Sequence, residues 1–323
     1  MSEYKTIHGI HVQALDTDPS NLGAGQVWYN TTSNQLKITA VSTSGAWATG
    51  GNLGTTRNAL DGAGTQTAGL AFGGRTPSNP TTNATEHYDG SAWTGGGNMG
   101  TARKYLGSAG TQTAGLGFGG RTPSNPTTNA TEHYDGSAWT DGGNMATARN
   151  YLGGCGTQTA GLGFGGYDGS NDTNATEHYD GSAWTAGGNM GTGRVNMGSA
   201  GTQTAGLAFG GGSGSTTNAT EHYDGSAWTA GGNMGTTRYS LAGAGTDTAG
   251  LGFGGYASMD SVNATEHYDG SAWTAGGNMG TGRENLGSAG TLSAGLAFGG
   301  AFGSNATEEY AGPGITTQTV TSS

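Results

Sequence analysis

The sequence predicts an all-β repeat fold, and three observations carry that prediction. The decapeptide TEHYDGSAWT at 85–94 returns unchanged at 131–140, 176–185, 220–229 and 265–274. Trp47, Trp93, Trp139, Trp184, Trp228 and Trp273 are spaced by 46, 46, 45, 44 and 45 residues. The second glycine of each Gly-Gly pair (Gly74, Gly120, Gly166, Gly211, Gly255, Gly300) keeps those steps, as do Arg57, Arg103, Arg149, Arg194, Arg238 and Arg283. A period near 45 lies in the range of four-stranded propeller blades. Helical start signals and a 3.6-residue apolar period are absent.

Each period resolves into four short strands divided by turn residues. In the copy that begins at Arg103 they read KYLGSAGT, TAGLGFGG, NATEHYDG and AWTDGGNM. The first two are rich in glycine, as expected of inner strands whose backbones crowd together. In the third, alternation sets Ala130, Glu132 and Tyr134 on one face and Thr131 and His133 on the other. Asp135-Gly136 is a tight-turn signal that leads into the Trp139 strand. Burial therefore falls to the aromatics. A Trp covers about 150–250 Å², worth on the order of 4–6 kcal/mol as an upper bound, and only if a neighbouring unit covers it. One unit alone is not expected to fold.

Arg, a small-residue strand, Phe-Gly-Gly, Glu-x-Tyr-Asp, a Trp five residues after the Tyr and Asn-Met before the next Arg resemble the kelch repeat, in order and spacing, over residues 45–311. The resemblance implies a β-propeller with four-stranded antiparallel blades, here a six-bladed one. The first two strands carry fewer aliphatic residues than kelch blades usually do. Counting strands also predicts how the array ends. The fourth strand around Trp47 precedes the first arginine, and TEEYAG at 307–312 ends as a third strand. The expectation is a last blade closed by N- and C-terminal strands, which leaves no free sheet edge. The domains are then an arm at 1–43, the propeller at 44–312 and a polar tail at 313–323.

The arm is a second, non-repeating element. GQVWYNTTSNQLKIT at 25–39 reads as a β-hairpin, Val27-Trp28-Tyr29 against Leu36-Lys37-Ile38. Its G-x-V-W-Y-N-x-T…L-K pattern, followed by Gly-x-Trp, resembles a segment of bacteriophage tail-fibre and other virion proteins. That likeness implies attachment to other virion proteins through residues 1–43; the other reading is a cap on the propeller.

Composition excludes several functions. Net charge is −11, only 10% of residues are charged and three are lysines, which offers no footprint for nucleic acid or an anionic membrane. No apolar run is long enough for membrane insertion, and MSEYKTIHGIHVQALD lacks a signal-peptide core. The lone Cys155 stands where other copies have alanine, as a small packing residue. His87, His133, His178, His222 and His267 diverge around a ring and cannot share one ion, so no metal is expected, and they read as blade-surface residues. DGSAW departs from the Asp-box of sialidase propellers, and no Cys–Tyr pair of copper oxidases is present. Serine-hydrolase and phosphate-loop signatures are absent too. The expectation is no enzyme and no cofactor. The Asn-Ala-Thr sites from Asn83 to Asn305 read as turns. Six arginines matched by Glu86, Glu132, Glu177, Glu221, Glu266 and Glu308 invite ion pairing, and the repeated Trp and Arg are assigned structural roles.

Variation between copies points to the binding face. The loop between strands two and three reads RTPSNPTTN twice, then YDGSNDTN, GSGSTTN, YASMDSVN and AFGSN. Variable loops on a rigid scaffold are the usual seat of recognition. Candidate binding residues there are Arg75, Arg121, Tyr167, Asp168, Asp172, Tyr256, Asp260 and Phe302, facing a host surface glycan or protein. The expected function is a phage virion structural protein, tail fibre or exterior decoration, made in the host cytoplasm and using its propeller for host recognition or protein interaction. The alternatives are a cellular kelch scaffold for protein–protein contacts and, last, a glycan-active enzyme.

Overall fold

The computed structural model describes residues 3–7, 10–20, 25–42, 44–78, 80–124, 126–301 and 303–320. Among these every regular element is a β-strand. The chain divides into two compact units, 46–311 and a second one that joins 1–45 to 312–323.

The larger unit consists of repeated four-stranded antiparallel sheets, consistent with a repeat β-propeller. In a representative sheet Gly107–Thr111, Ala114–Phe118, Thr131–Tyr134 and Trp139–Asp141 pair in sequence order. The register sets Tyr134 opposite both Gly115 and Trp139. One sheet is composite: Gly287–Gly290, Ala294–Phe298 and Thr307–Ala311 are completed by Ala46–Thr49, with Tyr310 opposite Trp47. In the sheets built from consecutive chain, the turn before the fourth strand is tied by its aspartate. The Asp135 carboxylate accepts from the Ser137 and Ala138 amides and the Ser137 hydroxyl at 2.7–2.8 Å, a local bond pattern that Asp makes readily.

The core lies between sheets rather than within one. Phe118 meets Trp184 of the following sheet at 4.8 Å between ring centroids. The Trp184 indole N–H donates to the Thr131 hydroxyl at 2.9 Å. Gly115 shows why glycine is required here: a Cβ would lie 2.6 Å from Leu70 Cδ2 of the preceding sheet. Side chain and hole thus interlock from sheet to sheet, and single repeats have no core of their own.

Two sets of backbone bonds pass from sheet to sheet and return to their start. In one, the amides of Ala59, Tyr105, Tyr151, Asn196, Ser240 and Asn285 each donate to the preceding member, with Ala59 donating to Asn285, at 2.7–3.0 Å. All six have φ between 52° and 56°. That left-handed conformation is costly for residues with a Cβ and is held here by the bonds on either side. In the other, Gly74 donates to the Arg103 carbonyl and so onward to Gly300, which donates to that of Arg57.

The smaller unit is a five-stranded sheet of Glu3–Ile7, Ile10–Leu15, Val27–Asn30, Gln35–Ser42 and Gly314–Thr319, in that order. The expected hairpin is present, with Trp28 opposite Lys37. The C-terminal segment is not a separate tail: Gly314–Thr319 pairs antiparallel with Gln35–Ser42. The motif residues converge on Asp18, which the sequence reading passed over. Its carboxylate accepts from the Trp28 indole, the Asn30 amide and the Lys37 ammonium at 2.7–3.0 Å. Lys37 first, then the Asn30 amide and the Trp28 indole, hold its pKa down to about 2.

Candidate functional site

Each arginine of the repeat is buried and clamps a variable loop at its base. Arg57 Nη1 donates to the carbonyls of Gly73 and Ala84, both at 2.9 Å, one on either side of the loop. Arg57 Nη2 reaches Glu86 at 2.7 Å, and the second Glu86 oxygen accepts the Gly54 amide at 2.6 Å. The other five arginines repeat the arrangement, with ion pairs at 2.7–2.8 Å throughout. Matched counts in the sequence had invited this pairing. Burial lowers the guanidinium pKa, while the adjacent carboxylate raises it. The Nε–H of all six remains without a partner. Because the clamp grips main-chain carbonyls, loop stems are fixed whatever the loop sequence. The sequon asparagines add a second tie: the Asn83 amide donates to the Met99 carbonyl at 2.8 Å.

The histidines do not sit as plain surface residues. His87 Nε2 lies 2.7 Å from the Tyr134 hydroxyl of the next sheet, and His133, His178 and His222 repeat the bond. His267 meets Tyr310 in the same way. Burial lowers their pKa. No group of three potential metal ligands occurs among the described residues. Cys155 is buried, with its thiol pushed up to about 12 by desolvation.

A cavity of about 90 Å³ is lined by the left-handed ring residues Ala59, Tyr105, Tyr151, Asn196, Ser240 and Asn285. A further cavity of about 120 Å³ is lined by the first strands of the sheets. Asp61 lines both, at a position where other copies have glycine or alanine. Desolvation raises its pKa to about 7, against hydrogen bonds from the Gly62 amide and Ser108.

The candidate binding residues divide into two sets. Arg75 donates from Nε to Asn58 Oδ1 at 2.8 Å, and its guanidinium lies 6.0 Å from the Tyr105 ring. Arg121 pairs its backbone with Lys104 and Thr127. Tyr256 packs on Tyr239 at 5.3 Å. By contrast, Tyr167 donates its hydroxyl to Gly169 within its own loop, and Asp168 accepts the Ser170 and Asn171 amides at 2.7 Å. Asp172 pairs with Tyr167, and the Asp260 carboxylate accepts the neighbouring Ser261 amide. These three aspartates shape their loops. Phe302 lies outside the described residues.

Sequence reasoning missed the residues just after each arginine. Asn58, Lys104, Asn150, Val195, Tyr239 and Glu284 form one column, and the left-handed ring residues form the next. Both columns vary between copies, as the loops between strands two and three do, and that variation was the available signal. No protein-family model matches the chain, and no curated protein matches it.

Proposed function

We propose that the larger unit is a six-bladed kelch-like propeller acting as a non-catalytic recognition or protein-interaction module of a phage virion. It would be carried on a tail fibre or the particle exterior, with residues 1–43 engaging other virion proteins. The observation that carries the recognition reading is the arginine clamp. It fixes both stems of each variable loop through main-chain carbonyls, so the loops can change without cost to the scaffold. The two returning sets of backbone bonds support the ring and its count of six. The kelch and virion assignments rest on the resemblances of the repeat and of the arm.

The test is adsorption of the purified full chain to candidate host cells, with competition against whole particles. Saturable binding that blocks particle adsorption is expected, and no sugar should be released from surface polysaccharide during incubation. Binding with concurrent depolymerisation would replace this reading with an enzymatic one.

A further inference from the structure

The larger unit contains nine cations, and their distribution is uneven. Six are the clamp arginines, each buried against its glutamate. The remaining three, Arg75, Lys104 and Arg121, belong to neighbouring sheets and gather in one place. Arg75 and Lys104 lie 6.0 and 5.9 Å from the centre of the Tyr105 ring. Tyr105 in turn packs on Tyr151 at 4.1 Å between centroids, and both residues line the cavity of about 90 Å³. Lys104 makes no ion pair among the described residues, and the like charges of Arg75 and Arg121 help to lower its pKa after burial does. Glu284 is the acid facing this group, from the Arg75 side. In a chain of net charge −11, three gathered cations beside two stacked tyrosine rings form a local surface complementary to an anion.

A second observation falls beside the cluster. Asn150 is fully buried, and both its amide nitrogen and its oxygen lack a partner. Its equivalent Asn58 is satisfied, donating to Ala301 of the preceding loop and accepting from Arg75. The residue equivalent to Ala301 before Asn150 is Arg121, within the cation cluster. A buried amide left unmade is unfavourable unless another group completes it.

We propose that this cluster of cations and tyrosines binds a single anionic sugar residue. The carboxylate or phosphate of the sugar is held by Lys104 and Arg121, and its apolar face packs on the Tyr105–Tyr151 pair. The ligand is one charged ring rather than a long polyanion, because the patch is small and the rest of the protein is acidic. Aromatic rings supply stacking area and the cations supply charge-assisted bonds. The inference deepens the recognition reading above and rests on it.

The experiment is calorimetric titration of the full chain with trigalacturonate, glucose 6-phosphate and neutral maltotriose. The expected result is saturable binding of trigalacturonate, glucose 6-phosphate or both, weakened by added salt, with maltotriose at least about tenfold weaker, the equivalent of one charge-assisted bond. Which acidic probe binds separates carboxylate from phosphate. The double variant Lys104→Ala/Arg121→Ala should lose about tenfold with an unchanged unfolding midpoint, since both side chains are only half-buried. Equal binding of maltotriose, full binding by the double variant, or no binding of either acidic probe at millimolar concentration overturns the proposal. Cell adsorption that survives in the double variant sinks the anionic-sugar site alone. Acidic-sugar binding without any cell adsorption sinks the host-recognition reading alone.

Discussion

Five of the four-stranded sheets use consecutive chain, whereas the composite sheet takes its fourth strand, Ala46–Thr49, from the far end of the repeat array. Their contacts are nearly the same. Trp47 donates to Thr265 at 2.9 Å, as Trp139 does to Thr85, and Arg283 meets Glu308 at 2.7 Å. Tyr310 packs on Trp47 at 5.0 Å, as Tyr134 does on Trp139. The differences are few: Glu309 stands for histidine, and the Asn305 amide reaches Leu53 at 3.4 Å where its counterparts hold methionine carbonyls at 2.8–2.9 Å. The lesson concerns tethering. In an ordinary sheet the fourth strand hangs on a tight Asp-Gly turn. In the composite sheet only side chains and ladder bonds hold it, so equal contacts must oppose a larger chain entropy.

The largest effect should come from the clamp. Arg103→Ala leaves Glu132 buried without its cation and is expected to cost about 3–5 kcal/mol. Arg283→Ala should cost at least as much, because Glu308 belongs to the composite sheet; urea denaturation of the pair compares them. An Arg283 variant clearly milder than the Arg103 one would contradict the tethering argument.

Indole truncation comes next. Trp139→Ala and Trp47→Ala each remove a half-buried ring, expected to cost about 3 kcal/mol. Trp47→Ala should in addition release its strand, seen as faster amide hydrogen exchange at Ala46–Thr49 than at Trp139–Asp141 in the matching variant. Equal exchange would mean that the composite sheet gains nothing from its indole beyond packing.

Asp61 sharpens the comparison at the inner strands, since no other copy has a carboxyl there. Its folded pKa is raised from 3.8 to about 7, so the folded state retains a proton that the unfolded chain has lost. Stability therefore falls as pH rises across that window, and the penalty is complete above it. Asp61→Asn should gain about 1–3 kcal/mol near pH 8 and nothing near pH 3, read from thermal midpoints at both values. The five interface histidines act in the opposite direction. Their lowered pKa means stability is lost as pH falls through and below the ordinary histidine range.

The smallest effect belongs to Glu309. Its carboxylate accepts the Tyr88 hydroxyl at 2.5 Å, where other sheets pair Tyr with His. Glu309→His restores the repeat and should change stability by less than about 1 kcal/mol at neutral pH. Glu309→Leu should cost about 1–3 kcal/mol by leaving the Tyr88 hydroxyl without its acceptor. If both variants were equally harmful, the charge rather than the hydrogen bond would be what holds that joint.

By itself the sequence determined the strands, their order and the pairing of Trp47 with Tyr310, because these follow from local alternation, turn residues and a period read on three landmarks. It also marked the arm hairpin and the matched arginines and glutamates. Contacts between copies were decided by the tertiary structure alone. The histidine–tyrosine bonds, the indole–threonine bonds and the left-handed ring at Tyr105 and Tyr151 each join residues about one period apart. So does the gathering of Arg75, Lys104 and Arg121 around Tyr105. The pairing of Gly314–Thr319 with Gln35–Ser42 and the convergence on Asp18 were hidden for the same reason. A residue's own neighbours fix its strand and face, but which side chain meets it across a gap is set by how whole sheets pack.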